Sequence, residues 1–425
     1  MSLPPGIAAI LPFRPNWRRP VEQGREYLTD ILDSRDRTEQ RRALRSKPRA
    51  TLQYTISLDR DDALAAQQLL ATLQPRPLLA PLWPRITRTT ATAGSGATVL
   101  TLDRPFPPDT RVGDHLVLMN PGTEPEAATI SALSGDRKTI TLSQGLAAAW
   151  PAGCEVYPAW QVSILQSVSA RRYTSAVLEA VLRLDRRVDA LPPAAPYGAP
   201  EAEVDGIEVL LRRVNWAANV STPFDWRPLV VDGTAGPFAT LVDGRFSPLA
   251  LSGEVACGSR DEVDWWLGFF DRLRGRQGQF LTASHVDPLP LQPPTVGGID
   301  FEVAGTALGR WAPYPSVVTH LQVRKPDGTI GHYRIYTITP DFGAGVTRIT
   351  TIDPWDESYG PWEALSTWLV CNARLVADSI TLRWHTTEVA TFSLALAAVD
   401  TTLPPIAMIS SVCIEVLANA PEEEA

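Results

Sequence analysis

Residues 260–283 read RDEVDWWLGFFDRLRGRQGQFLTA, and this stretch decides the fold. Val263, Trp266, Leu267, Phe270 and Leu273 fall at i, i+3, i+4, i+7 and i+10, which puts them on one face of a helix. Trp265 and Phe269 widen that stripe, while Asp264, Asp271, Arg272 and Arg274 take the other side. Ser259 is placed to cap the N-terminus, with Asp261 and Glu262 in the first turn, where the helix dipole favours anions. Gly275 and Gly278 supply a stop and a tight turn before an apolar strand. The expected result is a core helix laid on a sheet. The competing reading makes the Trp265–Trp266 pair a ligand platform.

The same stretch has a weaker twin in residues 60–83, RDDALAAQQLLATLQPRPLLAPLW. Both copies open Arg-Asp-acid, run as an apolar-periodic helix, turn, and exit into an apolar strand. Leu69, Leu70 and Leu73 are the core positions expected of the first helix. Other segments also answer one another. Val214-Asn215-Trp216 answers Pro15-Asn16-Trp17, and WHTTEVATFSLAL at 384–396 lies over RYTSAVLEAVLRL at 172–184. In that pair Thr386/Thr174, Val389/Val177, Leu394/Leu182 and Leu396/Leu184 are identical. The chain therefore reads as a tandem duplication of a unit of about 190 residues.

A chain of 425 residues is long for one core, so two or more domains are expected. With 20% charged and 44% apolar residues it has the composition of a folded chain rather than a disordered one. Its 38 prolines and 28 glycines, set among Thr/Val runs, favour short strands over a helical bundle. A net charge of −8 argues against a general nucleic-acid binder. No apolar run approaches the length of a spanning helix. The N-terminal apolar patch lacks a basic region before it and reads poorly as a secretion signal. Cys154, Cys257, Cys371 and Cys413 are scattered without CxxC spacing, as expected of reduced core residues made in a cytosol.

The fold class expected is mainly β (β+α): two tandem β-sandwich modules, each with a flanking helix and an inserted small β-barrel. The first module spans 1–190, with its insert at about 86–158. A Pro- and Ala-rich linker covers 191–206. The second module spans 207–400, with its insert at about 290–372, and residues 401–425 add a strand and an acidic tail. TLQYTISL alternates Leu52, Tyr54, Ile56 and Leu58 toward one buried face. RYTSAVLEAVLRL sets Leu178, Ala180, Leu182 and Leu184 opposite Val177, Glu179, Val181 and Arg183. The basic arm before residue 51 also holds Glu22, Glu26, Asp30, Asp33, Asp36 and Glu39, so it reads as a mixed surface or subunit contact, not a phosphate groove.

Catalytic constellations are not apparent in the sequence. The five histidines have no i, i+3 or i+4 pair, and no nucleophile elbow, dinucleotide fingerprint or Walker loop occurs. No cofactor, no metal and no enzymatic activity are expected. Asp353, Trp355, Asp356, Glu357 and Trp362 could suit a sugar or a cation, though a turn between strands is the commoner meaning of such a cluster.

The duplicated strand–helix–strand unit, here WWLGFFDRLRGRQGQFLTAS, resembles the distal tail and baseplate-hub proteins that cap the tail tube of long-tailed bacteriophages. The resemblance implies a tube-forming β-sandwich with a flanking helix and small β-domains projecting outward. It implies a virion structural protein of the tail tip, made in the host cytoplasm. Its partners would be the tail tube protein, a hub or central fibre protein, and genomic DNA passing through the lumen without specific binding. The usual distal tail protein carries one tube unit, whereas this chain carries two. A homotrimer with pseudo-six-fold symmetry is therefore expected first and a homohexamer second. The alternative function is a carbohydrate-binding β-protein of the tail tip, resting on Trp311, Trp355, Trp362 and Trp368. A glycan hydrolase with a pair of carboxylates ranks after both.

Overall fold

The structure is a computed structural model. It describes residues 3–33, 39–72, 76–174, 177–187, 198–213, 221, 228–231, 239–242, 250–283, 289–292, 296–311, 318–325, 327–355 and 366–399. The chain is mainly β, with 50% strand against 11% helix, so sheets build the layers and helices only line them.

The first half runs β1 (Ala9–Ile10), β2 (Val21–Glu26), β3 (Thr29–Asp33), β4 (Glu39–Ala43), β5 (Arg49–Asp59) and α1 (Arg60–Thr72). It continues through β6 (Leu78–Pro81), β7 (Thr87–Arg88), β8 (Val99–Thr101), β9 (His115–Met119) and β10 (Glu126–Leu133). It closes with β11 (Thr139–Leu142), β12 (Glu155–Ser163), β13 (Ala170–Arg172) and β14 (Val177–Arg186). The second half runs β15 (Glu203–Val204), β16 (Ile207–Leu210), β17 (Pro228–Val231), β18 (Ala239–Val242), β19 (Ala250–Cys257) and α2 (Arg260–Leu273). There follow β20 (Phe280–Ala283), β21 (Leu291–Gln292), β22 (Asp300–Ala304), α3 (Ala307–Trp311), β23 (Val318–Arg324) and β24 (Ile330–Asp341). The last elements are β25 (Val346–Thr351), β26 (Ser366–Leu375), β27 (Ser379–Trp384) and β28 (Ala390–Ala398).

Alternation produces the central strands. Leu52, Tyr54, Ile56 and Leu58 of β5 are buried, as are Leu178, Ala180, Leu182 and Leu184 of β14, while Val181 and Arg183 point outward. The two strands pair antiparallel from Val177↔Asp59 to Asp185↔Thr51 and put both apolar rows on one side.

The pairings of the first half recur in the second. β1 lies parallel to β6, β6 pairs with β12, and β12 pairs with β9 and β14. β9 leads through β10 and β11 to β8, and β14 pairs with β5 and β13. Correspondingly, β16 lies parallel to β20, β20 pairs with β26, and β26 pairs with β23 and β28. β23 leads through β24 and β25 to β22, and β28 pairs with β19 and β27. The register repeats as well. Arg171↔Glu179 and Arg172↔Leu178 become Arg383↔Thr391 and Trp384↔Ala390, and one constant displacement carries the first set onto the second. The hairpin β3–β4 has its counterpart in β17–β18.

Each insert has its own small core. One is built on Leu100, Phe106, Ile140 and Trp150, the other on Phe301, Leu321, Tyr333 and Trp355. Neither insert is a separate bead, because β12 and β26 each serve both the insert and the sandwich. The main core is shared by the two halves: Leu52, Tyr54 and Leu182 belong to the same cluster as Trp266, Phe269 and Phe392. Cys154, Cys257 and Cys371 are buried free thiols, and Cys413 lies outside the described residues.

The second insert holds a titration point. Burial, helped by neighbouring His320, pushes the His332 imidazole down to about 4. A histidine depressed in the fold stays neutral while the unfolded chain takes up a proton. Stability is therefore full above about pH 6.5 and is lost as pH falls toward the folded value. The expected loss is about 2 kcal/mol after discounting for partial exposure. Replacing His332 by glutamine is expected to leave stability unchanged at pH 7.5 and to raise it at pH 4.5, as read by denaturant melts. Equal melts of both proteins at pH 4.5 would refute this.

Candidate functional site

The site built most heavily is the joint between the two repeats. Strand β2 sits between β5 of its own repeat and β27 of the other. The β2–β27 ladder runs from Val21↔Trp384 to Glu26↔Ser379. One sheet thus passes from β14 through β5, β2, β27 and β28 to β19. Gly24 lets β2 lie close to its neighbour, since a Cβ there would lie 2.5 Å from Thr51 Oγ1 and the threonine side chain would have to shift.

Helix α2 lies under this joint. Ser259 caps it by accepting from the Glu262 amide at 3.3 Å. Arg274 turns left-handed with φ 52, and Gly278 folds back so that a Cβ would sit 2.7 Å from Leu273 Cα. Val263, Trp266, Leu267, Phe270 and Leu273 are all buried, and Trp266 packs edge-on to Phe392 at 5.3 Å. Trp265 stacks on Phe269 at 5.4 Å with the Arg212 guanidinium 4.0 Å above its ring. Both tryptophans of the pair are therefore used in packing.

The opposite side of α2 departs from the sequence expectation. Asp264 and Asp271, read as its polar outer side, meet the first repeat instead of solvent. Asp271 is 5% exposed and pairs with Arg25 of β2, which also pairs with Asp109. The Tyr27 hydroxyl donates to Asp271 at 3.1 Å, and its ring lies 5.7 Å from Phe270. Asp264 takes both terminal nitrogens of Arg85, at 2.5 and 3.2 Å. Burial pushes the Asp264 and Asp271 carboxyls up, against the pull of Arg85 and Arg25 respectively. At Asp109 burial acts upward too, but Arg25, Arg186 and Arg85 outweigh it and hold the carboxyl below its ordinary value.

Asp378, just before β27, clamps the far end. It accepts from the Thr29 amide and hydroxyl at 2.7 and 2.8 Å and from the Arg276 amide at 2.9 Å. Burial raises this carboxyl as well, yet these donors and the Arg276 charge leave it below the usual range. The hairpin β3–β4 reaches across the same boundary. Glu39 accepts two bonds from Arg374 at 2.6 and 2.7 Å, and Arg41 donates to the Gly278 carbonyl at 3.2 Å. Part of the arm read as a mixed surface or subunit contact thus meets the second repeat, while Asp30, Leu32 and Leu44 stay exposed and Asp36 lies outside the described residues.

An open cleft of about 420 Å³ lies along the joint, lined among others by Arg85, Arg104, Arg137, Arg260, Asp264 and Glu388. Its cations are already engaged. Arg260 donates to the carbonyls of Thr387 and Ile86, both at 2.7 Å, and Arg137 donates to Phe106 and Pro107 carbonyls. Arg104 pairs with Glu388. The chemistry of this cleft is that of a fastening.

The other expected positions lie apart from it. Leu69 and Leu70 of α1 are half-buried against the main core, and Leu73 lies outside the described residues. Trp355 is 1% exposed, packed against Phe301 and Tyr333 at 5.7 and 5.5 Å, so it is a core residue of the second insert. Asp353 is exposed beside it, and its carbonyl accepts from Thr351 at 2.7 Å. Asp356, Glu357 and Trp362 lie outside the described residues, as does the side chain of Trp311. Trp368 is buried. Among the described residues, no group of three or more metal-binding side chains occurs.

The residues of the joint were missed in the sequence because β2 and β27 are far apart in the chain. One signal was available. Aligned on Arg60/Arg260, Asp264 and Asp271 stand where the twin helix has Leu64 and Ala71. An acid at those places belongs to one copy and not to the fold.

No family model matches the chain, and no curated protein matches it. A solved tandem of two carbohydrate-binding modules from Paenibacillus barcinonensis Xyn10C aligns with 83% of this chain and 91% of its own. The identity is 12% and the TM-score 0.10, a level at which the alignment carries no argument about fold or function.

Proposed function

We propose that this chain is a structural ring-former of a phage tail tip. It joins the tail tube to a hub or central fibre and leaves a bore for DNA. The observation that carries the reading is the β2–β27 ladder, where two repeats of one fold meet head to tail inside a single chain. A head-to-tail contact generates a ring when its rotation closes. Three chains then supply six similar units around a channel, so a homotrimer is the expected assembly and a homohexamer the second. The tube protein would sit on one face of the ring and the hub or fibre protein on the other. A net charge of −8 suits a lumen along which DNA slides without sticking. The tail-tip assignment itself rests on the resemblance of the strand–helix–strand unit.

Electron microscopy and mass measurement of the purified protein test the ring, and antibody labelling of intact particles tests its place. Three-chain rings with a bore, and label at the tail tip, are the expected results. A protein that stays monomeric at high micromolar concentration removes the ring, and particles without label remove the tail tip.

A further inference from the structure

The joint within the chain has a counterpart residue set at each end of the sheet, and among the described residues no strand pairs with either one on its outer side. At one end, β13 pairs with β14 in the register in which β27 pairs with β28. The Tyr173 amide donates to the Val177 carbonyl at 3.1 Å, just as the His385 amide donates to Val389 at 2.9 Å. The far edge of β27 is taken by β2, whereas the far edge of β13 pairs with no strand among the described residues. Ala170, Arg171 and Arg172 are exposed.

At the other end, Ser221 and Ser252 exchange both backbone hydrogen bonds at 2.9 Å. This bridge occupies the place of Glu22↔Gln53 in the β2–β5 ladder, so Ser221 is the counterpart of Glu22. In the internal joint Glu22 lies opposite Arg383. The counterparts of those two residues are Ser221 and Arg171.

The helices show the same asymmetry. The face of α2 that meets the first repeat is covered, and the corresponding face of α1 is bare, with Leu64 57% exposed and Ala71 exposed. An open strand edge beside an uncovered apolar helix face is an invitation to pair.

We infer that these two ends are one interface. The outer edge of β13, with the bare face of α1 beside it, takes Ser221 of a second copy of this chain, in the register that Glu22 holds in the β2–β27 ladder. Arg171 of one copy then lies opposite Ser221 of the next. This rests on the ring reading and names its surface. The contact differs from the internal joint in chemistry, because Leu64 and Ala71 replace the two acids of α2 and the cross-copy contact there is apolar.

Paired cysteines test it. In the internal joint Glu22 directs its backbone bonds to β5, so Glu22 and Arg383 form a non-hydrogen-bonded pair, whose spacing of about 4.5 Å between Cα atoms suits a disulfide. The same holds for Ser221 and Arg171. In a Cys413→Ser background under oxidising conditions, Glu22→Cys with Arg383→Cys is expected to close within one chain. Arg171→Cys with Ser221→Cys is expected to give multimers on a denaturing gel that collapse with reductant, and neither single variant is expected to do so. Closure of the internal pair without multimers from the cross-copy pair overturns the interface. If rings are still imaged in that case, the ring reading survives and only the surface fails; a monomer ends both. Ala170→Pro adds a non-covalent arm. The Tyr173 bond places the 170 amide on the outer side of β13, so proline there removes an outward donor and leaves the β13–β14 ladder intact. Its expected effect is at least a tenfold rise in the dissociation constant of the assembly with an unchanged thermal midpoint of the isolated chain, and unaltered assembly counts against the edge.

Discussion

Replacing Arg25 by leucine is expected to destabilise the chain by about 3–5 kcal/mol at neutral pH, the cost of removing one partner from a buried ion pair. Arg25 is 5% exposed and faces Asp271 and Asp109 together. Its loss leaves two buried carboxylates, one of which, Asp271, burial already holds above its usual range against the pull of Arg25. Without Arg25 that carboxyl rises further. The folded variant then keeps a proton that the unfolded chain releases near the ordinary carboxylate value of about 3.9. In the window between the two values the fold binds more protons, so stability falls as pH rises through it. The deficit of the variant is therefore expected to be smallest near pH 4.5 and largest at pH 7. Adding Asp271→Asn should recover much of the loss, because a neutral pair needs no buried counter-charge. Denaturant melts at the two pH values measure both effects, and a deficit under 1 kcal/mol, equal at both, would show that the joint does not depend on this pair.

Trp266→Ala is expected to cost about 3–5 kcal/mol by opening a cavity in the core that both repeats share. Trp266 is 3% exposed and contacts Phe392, Phe269 and Trp265 at 5.3, 5.8 and 5.0 Å. The counterpart in α1 is already alanine, Ala66, and α1 buries only Ala63 and Ala66. The two helices thus start from opposite conditions. In hydrogen exchange α2 should be protected to near the global stability and α1 should open locally, since few apolar contacts hold it. In the Trp266→Ala protein the thermal midpoint should fall by roughly 5 °C. A drop of one or two degrees would place the weight of the core elsewhere.

The two helices also show how far the chain could be read unaided. Val263, Trp266, Leu267, Phe270 and Leu273 are buried where their spacing placed them, and Ser259 caps the helix it precedes. The alternation of Leu52, Tyr54, Ile56 and Leu58 likewise gave both the strand and its buried face. Asp264 and Asp271 show the opposite case. Their position on α2 was legible, but what they face was not, because Arg25 and Arg85 arrive from the other repeat. Trp355 was read as a member of a surface cluster, since a tryptophan between two acids resembles a ligand platform until Phe301 and Tyr333 are seen to enclose it.

The sequence by itself determined the central strands, the buried face of α2 and the likeness of the two halves, because periods of 2 and 3.6 residues and segmental likeness are properties of neighbouring positions; in α1 the expected core of Leu69 and Leu70 is only half-buried, and Ala63 and Ala66 are the buried positions. Only the tertiary structure decided that residues 21–26 pair with 379–384 and that the acids of α2 are buried in that joint. Strand edges carry the same backbone donors and acceptors whatever their side chains, so the choice of partner edge is made by long-range packing and leaves almost no local mark in the sequence.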